Sequence, residues 1–303
     1  MDRELGFNQL KELFSWIVSE LKSAGVDSPR LEAELILAHL FKITRSEVYL
    51  KLEDKIEKDL IERAWELVQK RKKRLPLAYV IERAWFREIE LEINPSVMVP
   101  RPETELLVEC AIEKILSQPK IKKILDLGTG SGAIILSIAW ELAELRDRLE
   151  FYASDISRSA LELAQKNAER LGLEKIIRFY CGDLFEPFAG EKFDLIVCNP
   201  PYIPKDEIER LSPEVKSEPK IALDGGENGL EVIERILSQA DRYLSLGGWI
   251  LLEVGAGQAE ELKARNFAGF ELKEIKKDYQ GIERMIIYKK LFSKIKHILR
   301  FDK

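Results

Sequence analysis

The sequence predicts an α/β protein: a mostly parallel sheet covered on both faces, preceded by a small all-α domain and joined to it by a β-hairpin. Three observations carry this expectation. From Lys122 onward, continuous apolar runs alternate with amphipathic helical stretches, the pattern of strands buried on both faces. Before residue 85 the apolar residues recur at helical spacing with almost no strand signal. Between the two, Trp85 to Val99 alternates with a period of two. A chain of 303 residues has room for roughly two domains.

The elements follow in order. Leu10, Leu13, Phe14, Ile17 and Leu21 share one face of a first helix. A second is expected from Ser28-Pro29, with proline at the first helical position, burying Leu31, Leu35 and Leu37-Ala38. A third spans about Lys55 to Arg74, with Leu60, Ala64, Leu67 and Val68 inward. Its end carries the basic run Arg71-Lys72-Lys73-Arg74, which reads either as a solvated helix end favoured by the helix dipole or as a contact for an acidic or phosphate-bearing partner. Phe86, Ile89, Leu91 and Ile93 suggest the hairpin, and a helix follows from about Glu103 to Leu116. Strands are expected at Lys123–Leu127, Leu149–Ser154, Ile176–Cys181, Phe193–Cys198 and Trp249–Val254, with helices near Ala133–Leu145, Ser159–Leu171 and Glu231–Tyr243. After a further helix, Phe270–Ile275 and Arg284–Tyr288 read as a terminal antiparallel pair. The basic residues Lys290, Lys294, Lys296 and Arg300 mark a tail that reads as a surface helix or as a membrane or nucleic-acid contact.

Composition narrows the function. With 46% hydrophobic and 33% charged residues, the chain can build a large core and is not expected to be disordered. The longest apolar stretch, Ala133 to Trp140, stops at Glu141, well short of the roughly 20 residues that span a bilayer. The start Met1-Asp2-Arg3-Glu4-Leu5 lacks the order of a secretory signal. Cys110, Cys181 and Cys198 are scattered and read as buried reduced thiols, and His39 and His297 are too few for a histidine metal site. A cytoplasmic protein without a bound metal is expected. Abundant Lys, Glu and Arg beside sparse Gln and Asn resemble heat adaptation.

The first chemical signal is Asp126-Leu127-Gly128-Thr129-Gly130-Ser131-Gly132, which ends a strand and opens a helix. Glycines there let the backbone approach a ligand closely, at the edge where such sheets bind ligands. With Ala133 the run also satisfies Gly-x-Gly-x-x-Ala, so a nicotinamide enzyme is a reading of the loop alone. The acids point elsewhere. Asp126, at the strand end, could anchor a cationic or hydrogen-bond-donating ligand, Asp155 closes the next strand and could bind ribose hydroxyls, and Asp183 closes the third and could accept from an adenine amino group.

The second signal is Phe193-Asp194-Leu195-Ile196-Val197-Cys198-Asn199-Pro200-Pro201-Tyr202. Consecutive prolines stiffen the chain and remove N–H donors, so this corner presents acceptors and suits a substrate that donates, an NH₂ group. The Asn199 side-chain carbonyl and the Pro200 backbone carbonyl could accept its two hydrogens, while the Tyr202 ring stacks on a flat amide or base near a positive charge. Such a site works by positioning and electrostatics, with no strong base.

The acid-and-glycine set resembles the cofactor site of Rossmann-like, class I S-adenosyl-L-methionine-dependent methyltransferases, whose seven-stranded, mostly parallel sheet ends in an antiparallel hairpin. Nearly the whole chain resembles the HemK/PrmC family of protein-(glutamine-N5) methyltransferases. The matching stretches are Pro100-Arg101-Pro102-Glu103-Thr104-Glu105, the glycine loop, Asn199-Pro200-Pro201-Tyr202, Ala222-Leu223-Asp224-Gly225-Gly226-Glu227-Asn228-Gly229-Leu230 and Glu253-Val254-Gly255-Ala256-Gly257-Gln258. Glu82 and Arg87 depart from it, standing where the family tends to have glycine.

The resemblance implies methylation of the glutamine in the Gly-Gly-Gln motif of class I peptide chain release factors. It places S-adenosyl-L-methionine among Asp126, Gly128, Thr129, Gly130, Ser131, Gly132, Asp155, Ile156, Asp183, Leu184 and Asn199. The substrate would meet Asn199, Pro200, Pro201, Tyr202 and Arg101, with Arg101 or its neighbours closing the pocket. It divides the chain into a helical substrate-docking domain (1–84), a hairpin linker (85–100), a methyltransferase domain (101–290) and a basic tail (291–303). A net charge of −5 favours a protein substrate over stable nucleic-acid binding, which normally asks for a basic footprint, and a monomer is expected. An RNA or DNA amino-methyltransferase, and a non-enzymatic cofactor sensor, remain the competing readings.

Overall fold

The computed structural model describes residues 6–291, so all of the basic tail after Leu291 lies outside the described residues. The described chain folds as two compact units, one of residues 6–83 with 212–217 and one of residues 84–211 with 218–291.

The first unit is helical. α1 (Leu10–Ser23) buries Leu10, Leu13, Phe14, Ile17 and Leu21, as the spacing predicts. α2 (Pro29–Phe41) starts at its proline but buries Ala33, Glu34, Ile36, Leu37 and Leu40, while Leu31 is exposed and Leu35 and Ala38 are only partly buried. The expected face is therefore rotated. Apolar residues surround most of this helix, so periodicity alone does not set its phase. Glu34 turns inward because partners meet it there: the Tyr49 hydroxyl donates to its carboxylate and Arg45 pairs with it at 3.2 Å.

A short α3 (Arg45–Leu50), not anticipated, is started by a reciprocal cap in which the Glu47 carboxylate accepts the Thr44 N–H at 2.7 Å. α4 (Lys58–Lys72) buries Ile61, Ala64, Val68 and Arg71, with Leu60 and Leu67 only partly covered. α5 (Leu77–Val80) leads to the strands β1 (Arg83–Phe86) and β2 (Ile89–Glu92), which form a hairpin.

In the second unit a 3₁₀ turn at Pro102–Thr104 opens α6 (Glu105–Ser117). Then come β3 (Lys123–Leu127), α7 (Ala133–Glu141), β4 (Glu150–Asp155), α8 (Arg158–Arg170), β5 (Ile177–Cys181) and β6 (Phe193–Cys198). The turn α9 (Pro213–Lys216) belongs to the helical unit. The chain continues with α10 (Glu231–Ala240), β7 (Leu244–Glu253), α11 (Gln258–Ala264), β8 (Phe270–Lys277) and β9 (Glu283–Lys290).

The seven strands run β5-β4-β3-β6-β7-β9-β8. The first five are parallel, and β9 is antiparallel to both β7 and β8. This is the doubly covered sheet with a terminal antiparallel pair that the pattern predicts. β7 starts earlier than expected, at Leu244, and absorbs the Gly247-Gly248 pair through a register shift against β6 between Phe193 and Leu195. Cys110 and Cys198 are buried, but Cys181 is exposed, because it closes the edge strand β5.

Three of the four basic residues at the end of α4, Arg71, Lys72 and Arg74, are paired within the chain, while Lys73 is exposed. Arg71 is 4% exposed. It donates to Glu32 at 2.6 and 3.0 Å and to Glu214, from α9, at 2.9 Å. Arg74 grips the same Glu214 carboxylate from a second side. The acidic partner lies within the chain itself.

Candidate active site

The strand order reverses between β3 and β6, whose carboxyl ends lie side by side with Leu125 opposite Ile196 and Asp126 opposite Val197. The glycine loop leaves one strand and Asn199-Pro200-Pro201-Tyr202 leaves the other, so topology brings the two signals to one crevice. A cavity of about 570 Å³ opens there, within the range of small-molecule sites.

One wall is the glycine loop. Gly128 and Gly130 adopt φ of 75° and 55°, and a Cβ on either would project into open space. The loop is fastened to β4: the Gly128 and Thr129 N–H groups donate to the Ser154 carbonyl at 2.8 and 2.9 Å. The Gly130 N–H donates to Asp155 Oδ2 at 2.9 Å, while Asp155 Oδ1 accepts the Ser157 N–H at 2.8 Å. Burial pushes the Asp155 carboxyl up, against these backbone donors. Ile156, half exposed, and Leu184 add apolar faces. Asp183 also lines the cavity, with its Oδ2 paired to Arg235 at 2.5 Å.

The opposite wall is the proline corner, where Asn199, Pro200 and Pro201 line the cavity beside Pro100, Thr104 and the segment Pro219–Ala222. Asn199 Nδ2 donates to Thr104 Oγ1 at 3.0 Å. Thr104 takes the donor end of this amide, which leaves the acceptor end, Oδ1, for a ligand.

Four expected site residues do not line the cavity. Asp126 is wholly buried: its Oδ2 accepts from Thr129 Oγ1 at 2.6 Å and its Oδ1 has no partner. Burial pushes its carboxyl up to about 7, against the Thr129 hydroxyl. Successive residues of a strand face opposite sides, and Asp126 falls on the packed side, so it braces the loop from beneath. Gly132 fills a packing role, because a Cβ there would lie 2.6 Å from Leu136 Cδ1, with φ at 85°. Arg101 is held by Glu218, its Nη2 within 2.8 and 2.7 Å of the two carboxylate oxygens; its neighbours Pro100 and Thr104 meet the cavity instead. Tyr202 is partly buried and donates its hydroxyl to Glu253 Oε1 at 3.2 Å. Thr104, Glu218 and Glu253 were not singled out by sequence reasoning. The signal for Glu253 was available, since an acid ending an apolar strand at the binding edge of the sheet needs a reason.

Two family models match the chain: the PrmC N-terminal domain over residues 12–81 and the methyltransferase small domain over residues 102–212. A release factor glutamine methyltransferase of Moorella thermoacetica is 36% identical over 280 residues, 92% of this chain and 97% of its own. This chain belongs to the release factor glutamine methyltransferase family. Members from Thermodesulfovibrio yellowstonii, 37% identical over 86% of this chain and 92% of their own length, and Aquifex aeolicus, 34% over 92% and 95%, are similarly related.

Enzymes of this methyltransferase family draw on S-adenosyl-L-methionine, and the cavity fits that molecule. Two left-handed glycines with open space above them form a cradle that any side chain would fill. Apolar faces from Ile156 and Leu184 suit a flat base, and the carboxylates of Asp155 and Asp183 suit hydroxyl and amino donors. Among the described residues no cluster of His, Cys, Asp or Glu could hold a metal ion.

Proposed function

We propose that this protein methylates the side-chain amide nitrogen (N5) of the glutamine in the Gly-Gly-Gln motif of class I peptide chain release factors. The observation that carries the reading is the orientation of Asn199, whose donor end is engaged by Thr104 at 3.0 Å while its acceptor end is left at the cavity. Asn199 Oδ1 and the Pro200 carbonyl accept the two amide hydrogens and aim the nitrogen lone pair across the cavity. S-adenosyl-L-methionine, held by Gly128, Thr129, Gly130, Ser131, Asp155, Ile156, Asp183 and Leu184, supplies an electrophilic methyl group there.

An amide nitrogen is a weak nucleophile because its lone pair is delocalised. The two carbonyls bind it better as it becomes pyramidal and gains positive charge, so they favour the transition state over the ground state. Pro200 and Pro201 hold those carbonyls rigid. Tyr202, anchored through its hydroxyl, supports the corner from behind, and the methylated nitrogen loses its proton late without a dedicated base.

We further infer a cytoplasmic monomer that captures the release factor through its helical unit and does not bind nucleic acid stably, which accords with a net charge of −5. No helix among the described residues is long and apolar enough to cross a membrane.

Transfer of labelled methyl from S-adenosyl-L-methionine to purified release factor tests the reading. Label is expected in the wild-type factor and absent after Gln→Ala in its tripeptide. Asn199→Ala is expected to slow transfer by about 100-fold or more. Label appearing only in nuclease-sensitive material would overturn the assignment in favour of an RNA or DNA amino-methyltransferase.

A further inference from the structure

We propose that Glu253, at the carboxyl end of β7, is a positioning residue for methyl transfer that fixes the hydrogen-bond direction of Tyr202 directly and of Asn199 through Thr104. The inference rests on the function proposed above, because it assigns Asn199 Oδ1 to the substrate amide.

Glu253 is 2% exposed. Tyr202 donates to its Oε1 at 3.2 Å, and its Oε2 makes no hydrogen bond of its own. The Thr104 hydroxyl lies beside the carboxylate and stabilises its charge. An ionised carboxylate only accepts, so hydroxyls around it must turn their protons inward. Tyr202 does so. Thr104 Oγ1 accepts from Asn199 Nδ2 at 3.0 Å, and in this proposal its own proton turns to the carboxylate, whose Oε2 has no other partner.

The consequence lies at the far end of the chain of bonds. The Asn199 amide is a flat fork whose two ends have nearly the same shape, and a half-turn exchanges oxygen for NH₂. Were Thr104 to donate instead, the fork would turn over and present NH₂ to the incoming glutamine NH₂, donor against donor. A buried negative charge behind the proline corner thus decides that the corner presents an acceptor. A leucine or glutamine of similar size could fill the space behind β7 but could not impose that direction.

The groups facing Glu253 are the Tyr202 and Thr104 hydroxyls, Arg284 from β9, Glu103 from the turn before α6, and the Cys198 thiol at the end of β6. Burial pushes the Glu253 carboxyl up to about 7, with Glu103 adding to the rise and Thr104, Tyr202 and Arg284 opposing it. Protonation turns the carboxyl into a donor and releases the direction of the network. The active form is therefore the ionised one, and the rate falls on the acid side of about 7. The glutamine amide itself does not titrate there.

The test uses the full chain, release factor and S-adenosyl-L-methionine, with single-turnover rates measured across pH 6–9 and cofactor affinity measured by calorimetry. Glu253→Gln is expected to slow transfer about 100-fold at pH 8, leave cofactor affinity unchanged and abolish the acid limb. A wild-type rate and pH profile in this variant would overturn the inference, as would parallel loss of cofactor binding and rate. Should Glu253→Gln fail to fold, Thr104→Val carries the test. It should be slow at unchanged cofactor affinity, with Thr104→Ser, which keeps the hydroxyl, recovering most of the loss; equal rates for the two would overturn the relay. A wild-type protein inert on release factor would instead remove the proposed function.

Discussion

The Asp155 carboxylate accepts the Gly130 N–H at 2.9 Å through one oxygen and the Ser157 N–H at 2.8 Å through the other. A single side chain at the end of β4 therefore ties the glycine loop to the first turn of α8, besides facing the cavity. Removing it loosens the cradle and, under the function proposed above, deletes an acceptor for ribose hydroxyls. A hydrogen bond to a charged group is worth about 1.5–3 kcal/mol, so Asp155→Ala should weaken S-adenosyl-L-methionine binding by about 10- to 100-fold. Titration calorimetry checks this, and an unchanged dissociation constant would remove the brace from the account.

Glu214 supplies a pH-dependent part of the helical unit's stability. Burial pushes its carboxyl up, but the Arg74 and Arg71 guanidiniums outweigh burial and hold it at about 2, against an ordinary value of 4.5. A folded-state pKa below the unfolded one stabilises the fold above pH 4.5 and ceases to do so as pH falls through about 2. Glu214→Gln should therefore cost about 2 kcal/mol at pH 7. The gap from wild type should close progressively as pH falls below 4.5. Urea unfolding followed from pH 7 down to pH 3 reads the difference directly, and a gap that stayed constant would refute the assignment.

Glu82 and Arg87 occupy left-handed backbone, with φ of 57° and 50°. These are the two positions where the family resemblance leads one to expect glycine. A side chain there costs about 1–2 kcal/mol, partly offset by the roughly 0.5–1 kcal/mol that glycine loses in entropy on folding. Exposed Glu82 should therefore tolerate Glu82→Gly with a gain of up to about 1 kcal/mol. Arg87 differs, because its guanidinium grips Glu141 at 2.5 and 2.8 Å, and Arg87→Gly should bring no gain. Thermal midpoints of the two variants decide it; a lower midpoint for Glu82→Gly would contradict the backbone argument.

The sheet was legible because its signal is redundant. The strands Lys123–Leu127 and Phe193–Cys198 are apolar on both faces, and the glycine and proline punctuation after each leaves little choice of boundary. Where the sequence misled, orientation was at issue rather than element type. Asp126 stands at the right end of the right strand yet faces the packed side, and α2 is apolar around so much of its circumference that Leu31 and Ile36 compete for the interior. Asp126 is held by a partner only three residues on, Thr129, whereas Glu34 is turned inward by the more distant Tyr49 and Arg45. Thr104 and Glu253 stand in stretches that match the family, but their bonding partners are not legible there. Their link to Asn199 and Tyr202 joins positions far apart in the sequence, and no local pattern encodes such a bond.

The insertion of residues 212–217 into the helical unit has a consequence for biosynthesis. Arg71 and Glu214 are 143 residues apart, so the nascent helices leave the ribosome long before the acid that completes their clasp. At about 5–20 residues per second, the guanidinium waits roughly 7–30 s with only Glu32 to pair with. Helices released early would thus mature in two stages, the second timed by translation of the sheet.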